Sequence, residues 1–236
     1  MHILTLDGPE PRCHDCPVRA ACLAPQAGLC GCRRSLDCDR PLFGRGQPFA
    51  FLYTVRSGRL KLWRPDHRGR PLVTTFPAAG DLLGLDAIGA GRHACSAVAL
   101  EPSEVCEIPY AGLQAALPGA PRLMRRFHAA LSEEIVREQA VLLQAGRPAG
   151  ARLAGLLLDL SARQAAGGGD ADRLRLPMSR ADIGNHLGLT IESVSRQLGR
   201  MRTAGWIAVD GRDLTLLRRD RLQALLAPGG ELHSSA

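Results

Sequence analysis

Short apolar runs broken by glycine-bearing turns fill the first half of the chain. Residues 51–55 and 59–63 flank Arg56-Ser57-Gly58, and in the second run Leu60 and Leu62 alternate with Arg59 and Lys61. That is the period of a half-buried strand. A turn over 65–70 precedes a run at 72–76. Turns at 77–81, Gly89-Ala90-Gly91 and Pro102-Ser103 then bracket strand-like runs at 95–100 and 105–108. About six to eight short strands at this spacing predict a small antiparallel barrel or jelly roll.

The period changes after Pro121. Neither Gly nor Pro interrupts the chain until Gly146, and Met124, His128, Leu131, Ile135, Glu138 and Leu142 step by alternating fours and threes. This is the seam of a coiled coil, with two polar members, although one amphipathic helix packed on its own barrel gives a similar pattern. Gly146-Arg147-Pro148 ends the helix and marks a domain joint. Helix resumes over 151–163, with Leu153, Leu156, Leu157 and Leu160 on one stripe, and stops at Gly167-Gly168-Gly169.

Residues 178–201 have the order of a helix-turn-helix. Ser179 is placed to cap a first helix with Asp182 at its third position, Gly188 allows a tight turn, and Thr190 is placed to cap a second helix. Ile191, Val194, Leu198 and Met201 fall on the face expected to be buried. The opposite face presents Glu192, Ser195, Arg196 and Arg200, with Thr190 and Ser193 beside them at the helix start, where a recognition helix touches base edges. Arg196 can fork onto guanine O6 and N7, and Glu192 can accept from the exocyclic amine of cytosine. Runs at 206–209 and 213–216 joined through Asp210-Gly211 predict a hairpin wing on an Asp-Gly turn.

Charge and cysteine content sharpen the picture. Thirty Lys and Arg against 23 Asp and Glu give a net charge of +7, which favours polyanionic partners. No apolar run approaches the roughly 18 residues of a membrane span, and the N-terminus lacks the basic-then-apolar order of a signal peptide, so the expected location is cytoplasmic, without a membrane partner. Six of the 8 cysteines, Cys13, Cys16, Cys22, Cys30, Cys32 and Cys38, crowd the N-terminal segment. In a reducing compartment such a cluster points to metal or iron–sulfur ligands, or to redox-active thiols. The C-x2-C spacing alone leaves zinc, thiol redox and cluster open. No Gly-rich nucleotide loop or paired catalytic carboxylates stand out, so an enzyme is not expected.

The strings Cys13-His14-Asp15-Cys16 followed by Cys22, Arg56-Ser57-Gly58, Ala79-Gly80-Asp81-Leu82-Leu83-Gly84-Leu85-Asp86-Ala87-Ile88-Gly89, Val105-Cys106-Glu107-Ile108-Pro109 and Asp182 through Arg196 carry a family resemblance. Over nearly its whole length the chain resembles the Crp/Fnr superfamily of transcription regulators, most closely the oxygen-responsive FNR type. The resemblance implies an α+β chain with an N-terminal β-roll (jelly-roll-like) sensor domain, a long dimerisation helix and a C-terminal winged helix-turn-helix. The corresponding divisions are a Cys-rich cluster-binding segment at 1–40, the β-roll at 41–120, the dimerisation helix at 121–146, the DNA-binding domain at 147–228 and a disordered tail at 229–236.

It also implies a 4Fe-4S cluster held by Cys13, Cys16, Cys22 and Cys106, sensing of oxygen or redox state, a homodimer formed through Met124, Leu131, Ile135, Glu138 and Leu142, a palindromic operator in double-stranded DNA, and RNA polymerase as second partner. The same type of regulator using its cysteines for zinc or thiol redox sensing is the alternative. Two departures from the FNR type matter: the stretch from Cys22 to Gly58 is shorter by several residues, and it carries three further cysteines. Cys30, Cys32 and Cys38 have no counterpart in the FNR pattern, which leaves them as inert, alternative ligands or protective thiols. A cyclic nucleotide is not expected, because the phosphate clamp, a Glu and an Arg-Ser pair, is replaced by Gly84-Leu85-Asp86 and Cys95-Ser96.

Overall fold

The computed structural model describes residues 13, 16–20, 22–29 and 32–227. Expectations placed on the N-terminus, on His14, Asp15 and Cys30, and on the tail at 229–236 lie outside the described residues. The strands are β1 (Cys32–Leu36), β2 (Pro41–Phe43), β3 (Phe51–Ser57), β4 (Leu60–Pro65), β5 (Pro71–Thr75), β6 (Leu82–Leu83), β7 (Ser96–Ala99), β8 (Ser103–Pro109), β9 (Arg173–Arg175), β10 (Ile207–Asp210) and β11 (Asp213–Leu216). The helices are α1 (Tyr110–Ala116), α2 (Pro121–Gln144), α3 (Ala149–Ala166), α4 (Arg180–Leu187), α5 (Ile191–Thr203) and α6 (Arg219–Ala224). Two compact units divide the chain: Met1–Leu60 with Pro77–Ser132, and Lys61–Phe76 with Glu133–Ala236. Among the described residues, no helix is long and apolar enough to cross a membrane.

In the first unit β8 pairs antiparallel with β1 on one side and β3 on the other, β3 continues to β6, and β2 pairs with β7. The register sets Leu52 opposite Ile108 and Thr54 opposite Cys106. Leu52 and Ile108 carry a core that takes in Leu113 of α1, Leu117 of the turn after it, Leu123 and Phe127 of α2, and Cys22, Leu23 and Ala24 of the N-terminal segment. Each of the larger apolar side chains contributes about 1.5–3 kcal/mol by leaving water.

The second unit is built on α3, whose predicted stripe of Leu153, Leu156, Leu157 and Leu160 is buried throughout. A three-stranded sheet in the order β10-β11-β9 forms the wing. Asp210 pairs with Asp213, so the corner is Gly211-Arg212 and not the Asp-Gly pair that the sequence suggested; Asp210 is drawn into the strand by its partner. The β4–β5 hairpin belongs to this unit, with α4 against β5: the His186 ring meets the Phe76 ring edge-on, and its Nδ1 lies 3.3 Å from the Val73 carbonyl.

Helix α2 packs its first turns on the core of its own unit and leaves the apolar positions of its later turns uncovered. Leu123 and Phe127 are buried in the first unit's core, and Met124 and Leu131 lie half-buried against it. Beyond them Ile135 is 57%, Val136 61%, Leu142 74% and Leu143 79% exposed, an apolar stripe uncovered within one chain. Glu138 and His128 are exposed as well.

The corner between β3 and β4 leaves no room for a side chain. Gly58 has φ of +81°, and a Cβ there would meet Ser103 Oγ and lie 2.7 Å from the Pro102 carbonyl oxygen. Gly58→Ala combines the left-handed penalty of about 1–2 kcal/mol with this overlap. A loss of at least about 2 kcal/mol in urea unfolding is expected, and an unchanged midpoint would refute the close approach.

Candidate functional site

Four cysteines converge in the first unit. Cys22 packs beside Leu23 and Ala24 in the core, and its backbone N–H reaches the Val18 carbonyl at 3.0 Å, closing the turn that follows Cys16. The Cys16 N–H points to the Cys13 carbonyl at 3.4 Å. Cys106 is buried on β8 and its thiol is pushed up to about 11, by burial first and then by the proximity of Cys22, Cys16 and Cys13, with Arg56 acting in the opposite sense. Arg56 also pairs with Glu104 at 3.6 Å. The Arg126 side chain of α2 donates to the Ala20 carbonyl, inside the cysteine-bearing turn. Among the described residues, no group of three or more His, Cys, Asp or Glu side chains has the arrangement of a metal-ion site.

The other cysteines are held apart. Cys32 pairs with Glu107 and Arg33 with Cys106, so Cys32 projects from the sheet face opposite to Cys106. The Arg34–Glu107 ion pair at 3.3 Å marks that opposite face. Cys38 is exposed and its thiol donates to the Leu100 carbonyl at 3.3 Å. Cys95 is buried just before β7, outside the predicted strand that began with it, because its N–H and thiol both donate to Asp86. The Asp86 carboxylate takes the Ala94 N–H at 2.7 Å too. An internal anion thus occupies the donors beside the place a phosphate clamp would take.

The helix-turn-helix follows from its caps. Ser179 Oγ accepts from the Asp182 N–H at 3.0 Å while the Asp182 carboxylate accepts from the Ser179 N–H at 3.1 Å, a complete capping box. Gly188 stops α4 at φ of +64°, and Thr190 Oγ1 accepts from the Ser193 N–H at 3.2 Å to open α5. Val194, Leu198 and Met201 are buried as expected. Ile191 is not: at the first position of α5 it is 49% exposed, with no turn before it to cover it, and Gln197 takes the buried place between Val194 and Met201.

Glu192, Ser195, Arg196 and Arg200 form the exposed face, with Ser193 half-buried beside the cap. Arg196 Nη2 donates to Ser193 Oγ at 3.3 Å, which steadies the guanidinium over the helix start. The Glu192 carboxyl is held below its ordinary value by its own N–H and then by Thr190, so it stays an acceptor at neutral pH. Lys61, which the sequence singled out only as a polar strand position, reaches Asp182 at 2.6 Å. No local pattern could announce a contact so distant along the chain.

Residues 151–225 match the model of the Crp-like helix-turn-helix domain, and residues 33–118 that of the cyclic nucleotide-binding domain. The fumarate and nitrate reduction regulatory proteins of Salmonella typhimurium and of Escherichia coli K12 are each 37% identical over 223 residues, covering 90% of this chain and 89% of theirs. The chain belongs to the Crp/Fnr family. This Crp/Fnr regulator also resembles the structure of FixK2 from Bradyrhizobium japonicum, at a TM-score of 0.77 and 30% identity over 85% of this chain and all of that one. It is an FNR-type DNA-binding transcription regulator. Regulators of this family are typically dimers.

Burial would raise the Asp182 carboxyl in this regulator, but hydrogen bonds from Lys61 and Ser179 outweigh it and leave the pKa below its ordinary value. A depressed folded pKa means stability that is complete above the unfolded value near 4 and is lost as pH falls through the folded one. Urea unfolding of the second unit should therefore weaken below about pH 4, and Asp182→Asn should flatten that stretch of the profile. A variant as acid-sensitive as its parent would assign the effect elsewhere.

Proposed function

We propose that Cys13, Cys16, Cys22 and Cys106 hold a 4Fe-4S cluster through which this regulator senses oxygen or redox state. The observation that carries the reading is convergence: Cys106, buried on β8, has Cys22, Cys16 and Cys13 as its neighbours, and Cys22 is packed in the same core. The donor set fits the group, since four thiolates are the ligands of such a cluster. When bound, the cluster supplies redox chemistry at the iron and sulfide centre. The protein's part is positional. Cys22 and its neighbours Leu23 and Ala24 pack on the foot of α2, and Arg126 ties that helix to the same turn. Holding the cysteine segment therefore steadies the helix whose later turns offer Ile135, Glu138 and Leu142 to a second copy. Two Glu138 carboxylates close together in that seam would oppose association, so the dimer depends on the support given at the foot.

The dimer then presents two α5 helices to a palindromic operator, with Thr190 and Ser193 shaping the helix start, Glu192, Ser195 and Arg196 toward bases, and Arg200 toward phosphate. The exposed turn at 66–70, organised by the Asp66 carboxylate accepting from the Arg68 and Arg70 N–H groups, is a contact surface for RNA polymerase. The protein works in the cytoplasm. The Asp86 carboxylate, already bonded to Ala94 and Cys95, repels a nucleotide phosphate and so favours the cysteines as the sensor.

Protein purified without oxygen should carry about four iron atoms per chain. Cys106→Ser should lose them, whereas Cys32→Ser and Cys95→Ser should not; full iron retention in Cys106→Ser would overturn the ligand set. With loaded protein at fixed salt, Arg196→Ala should lose roughly 1–3 kcal/mol of discrimination at one base pair of each half-site. Arg200→Ala should weaken all sequences alike and flatten the salt dependence. Unchanged selectivity in Arg196→Ala would take α5 out of the major groove.

A further inference from the structure

Thr54 is 1% exposed, and its hydroxyl has no hydrogen-bond partner. A buried hydroxyl left in this state is destabilising, and Val would fill the same space on β3 without that penalty. The register gives the hydroxyl a destination. Thr54 stands directly across from Cys106, and side chains directly opposite in an antiparallel pair share one face with Cβ atoms about 4.5–5.5 Å apart. On that face Leu52 and Ile108 pack against the Cys22-bearing segment, and the thiols of Cys13, Cys16 and Cys22 lie close to Cys106. Glu107 and Arg34, which pair with each other, occupy the other face.

We infer that Thr54 is a positioning residue of the cysteine site, donating its O–H to a negatively charged sulfur held there, either the Cys106 thiolate or a sulfide of the bound cluster. The inference rests on the iron–sulfur reading above. A neutral thiol is a weak acceptor, which accounts for a hydroxyl without a partner beside it; a thiolate or sulfide accepts a charge-assisted hydrogen bond. Hydrogen bonds to cluster sulfurs set their electron density and the strength with which iron is held.

The test compares parent, Thr54→Val and Thr54→Ser after anaerobic loading with iron and sulfide, followed by release of iron to an excess of ferrous chelator. Thr54→Val should release iron about tenfold faster than the parent, the low end of what a lost supporting contact does to metal affinity. Thr54→Ser, which keeps the hydroxyl, should stay within about twofold of the parent. In resonance Raman spectra the iron–sulfur stretching bands of parent and Ser variant should shift in D2O, and those of the Val variant should not. The apoprotein melting temperature of Thr54→Val should equal or exceed the parent's, so that faster release cannot be put down to damage of the fold. Iron release from Thr54→Val at the parent rate, with the same D2O shift, would overturn the assignment while leaving the cluster intact. A parent protein that takes up no iron would overturn the iron–sulfur reading itself.

Discussion

The packing of three consecutive residues, Cys22, Leu23 and Ala24, against the sheet and the foot of α2 is the contact on which the rest depends. It buries the third cysteine within a core shared by Ile108 of β8 and Leu123 and Phe127 of α2. Ala27 and Leu29 extend the same packing, and the Arg126 contact to Ala20 ties the cysteine turn to α2 as well. One apolar cluster thus joins the candidate ligand set to the helix that leads away from it. Because such interiors are close-packed, a displaced segment leaves voids that neighbouring side chains fill only in part, so the arrangement favours two discrete states over gradual loosening.

The DNA-reading end is organised by different physics. Its helices are short and rest on local satisfaction of terminal N–H groups: the Ser179–Asp182 box for α4 and Thr190 for α5. Each such cap contributes about 1 kcal/mol. Asp182 carries a second duty, since the same carboxylate that closes the box binds Lys61 of the β4–β5 hairpin. A single ionised group therefore ties the helix start to a hairpin from far earlier in the chain. The base-reading side chains stay exposed because Val194, Gln197, Leu198 and Met201 turn the opposite side of α5 inward.

What local chemistry determines was legible in the sequence. Caps, the glycine at the end of α4, the leucine stripe of α3 and the extent of α2 depend on residues a few positions apart, and they stand where the pattern put them. The strands β1 and β9 escaped, because Arg33, Arg34 and Ser35 carry no apolar alternation, and the alternation of Arg173-Leu174-Arg175 is too short to mark a strand without its partner. Ile191 departs from the pattern because a helical stripe says nothing of whether another turn covers its first member. The cysteine site was legible only through family resemblance: C-x2-C spacing does not choose a metal, and no short-range signal tells that Cys106 faces Cys22 while Cys32 faces away. Thr54 carries no signature at all until its partner across the strand is known.

The central claim, that the four-cysteine site governs DNA reading through the long helix, is tested most directly by following one anaerobic sample as a chelator removes its iron, measuring operator affinity and sedimentation together. The account predicts that affinity for the palindrome falls in step with iron loss as the dimer gives way to monomer. Iron-free protein that remains dimeric and binds the operator as tightly as before would contradict it.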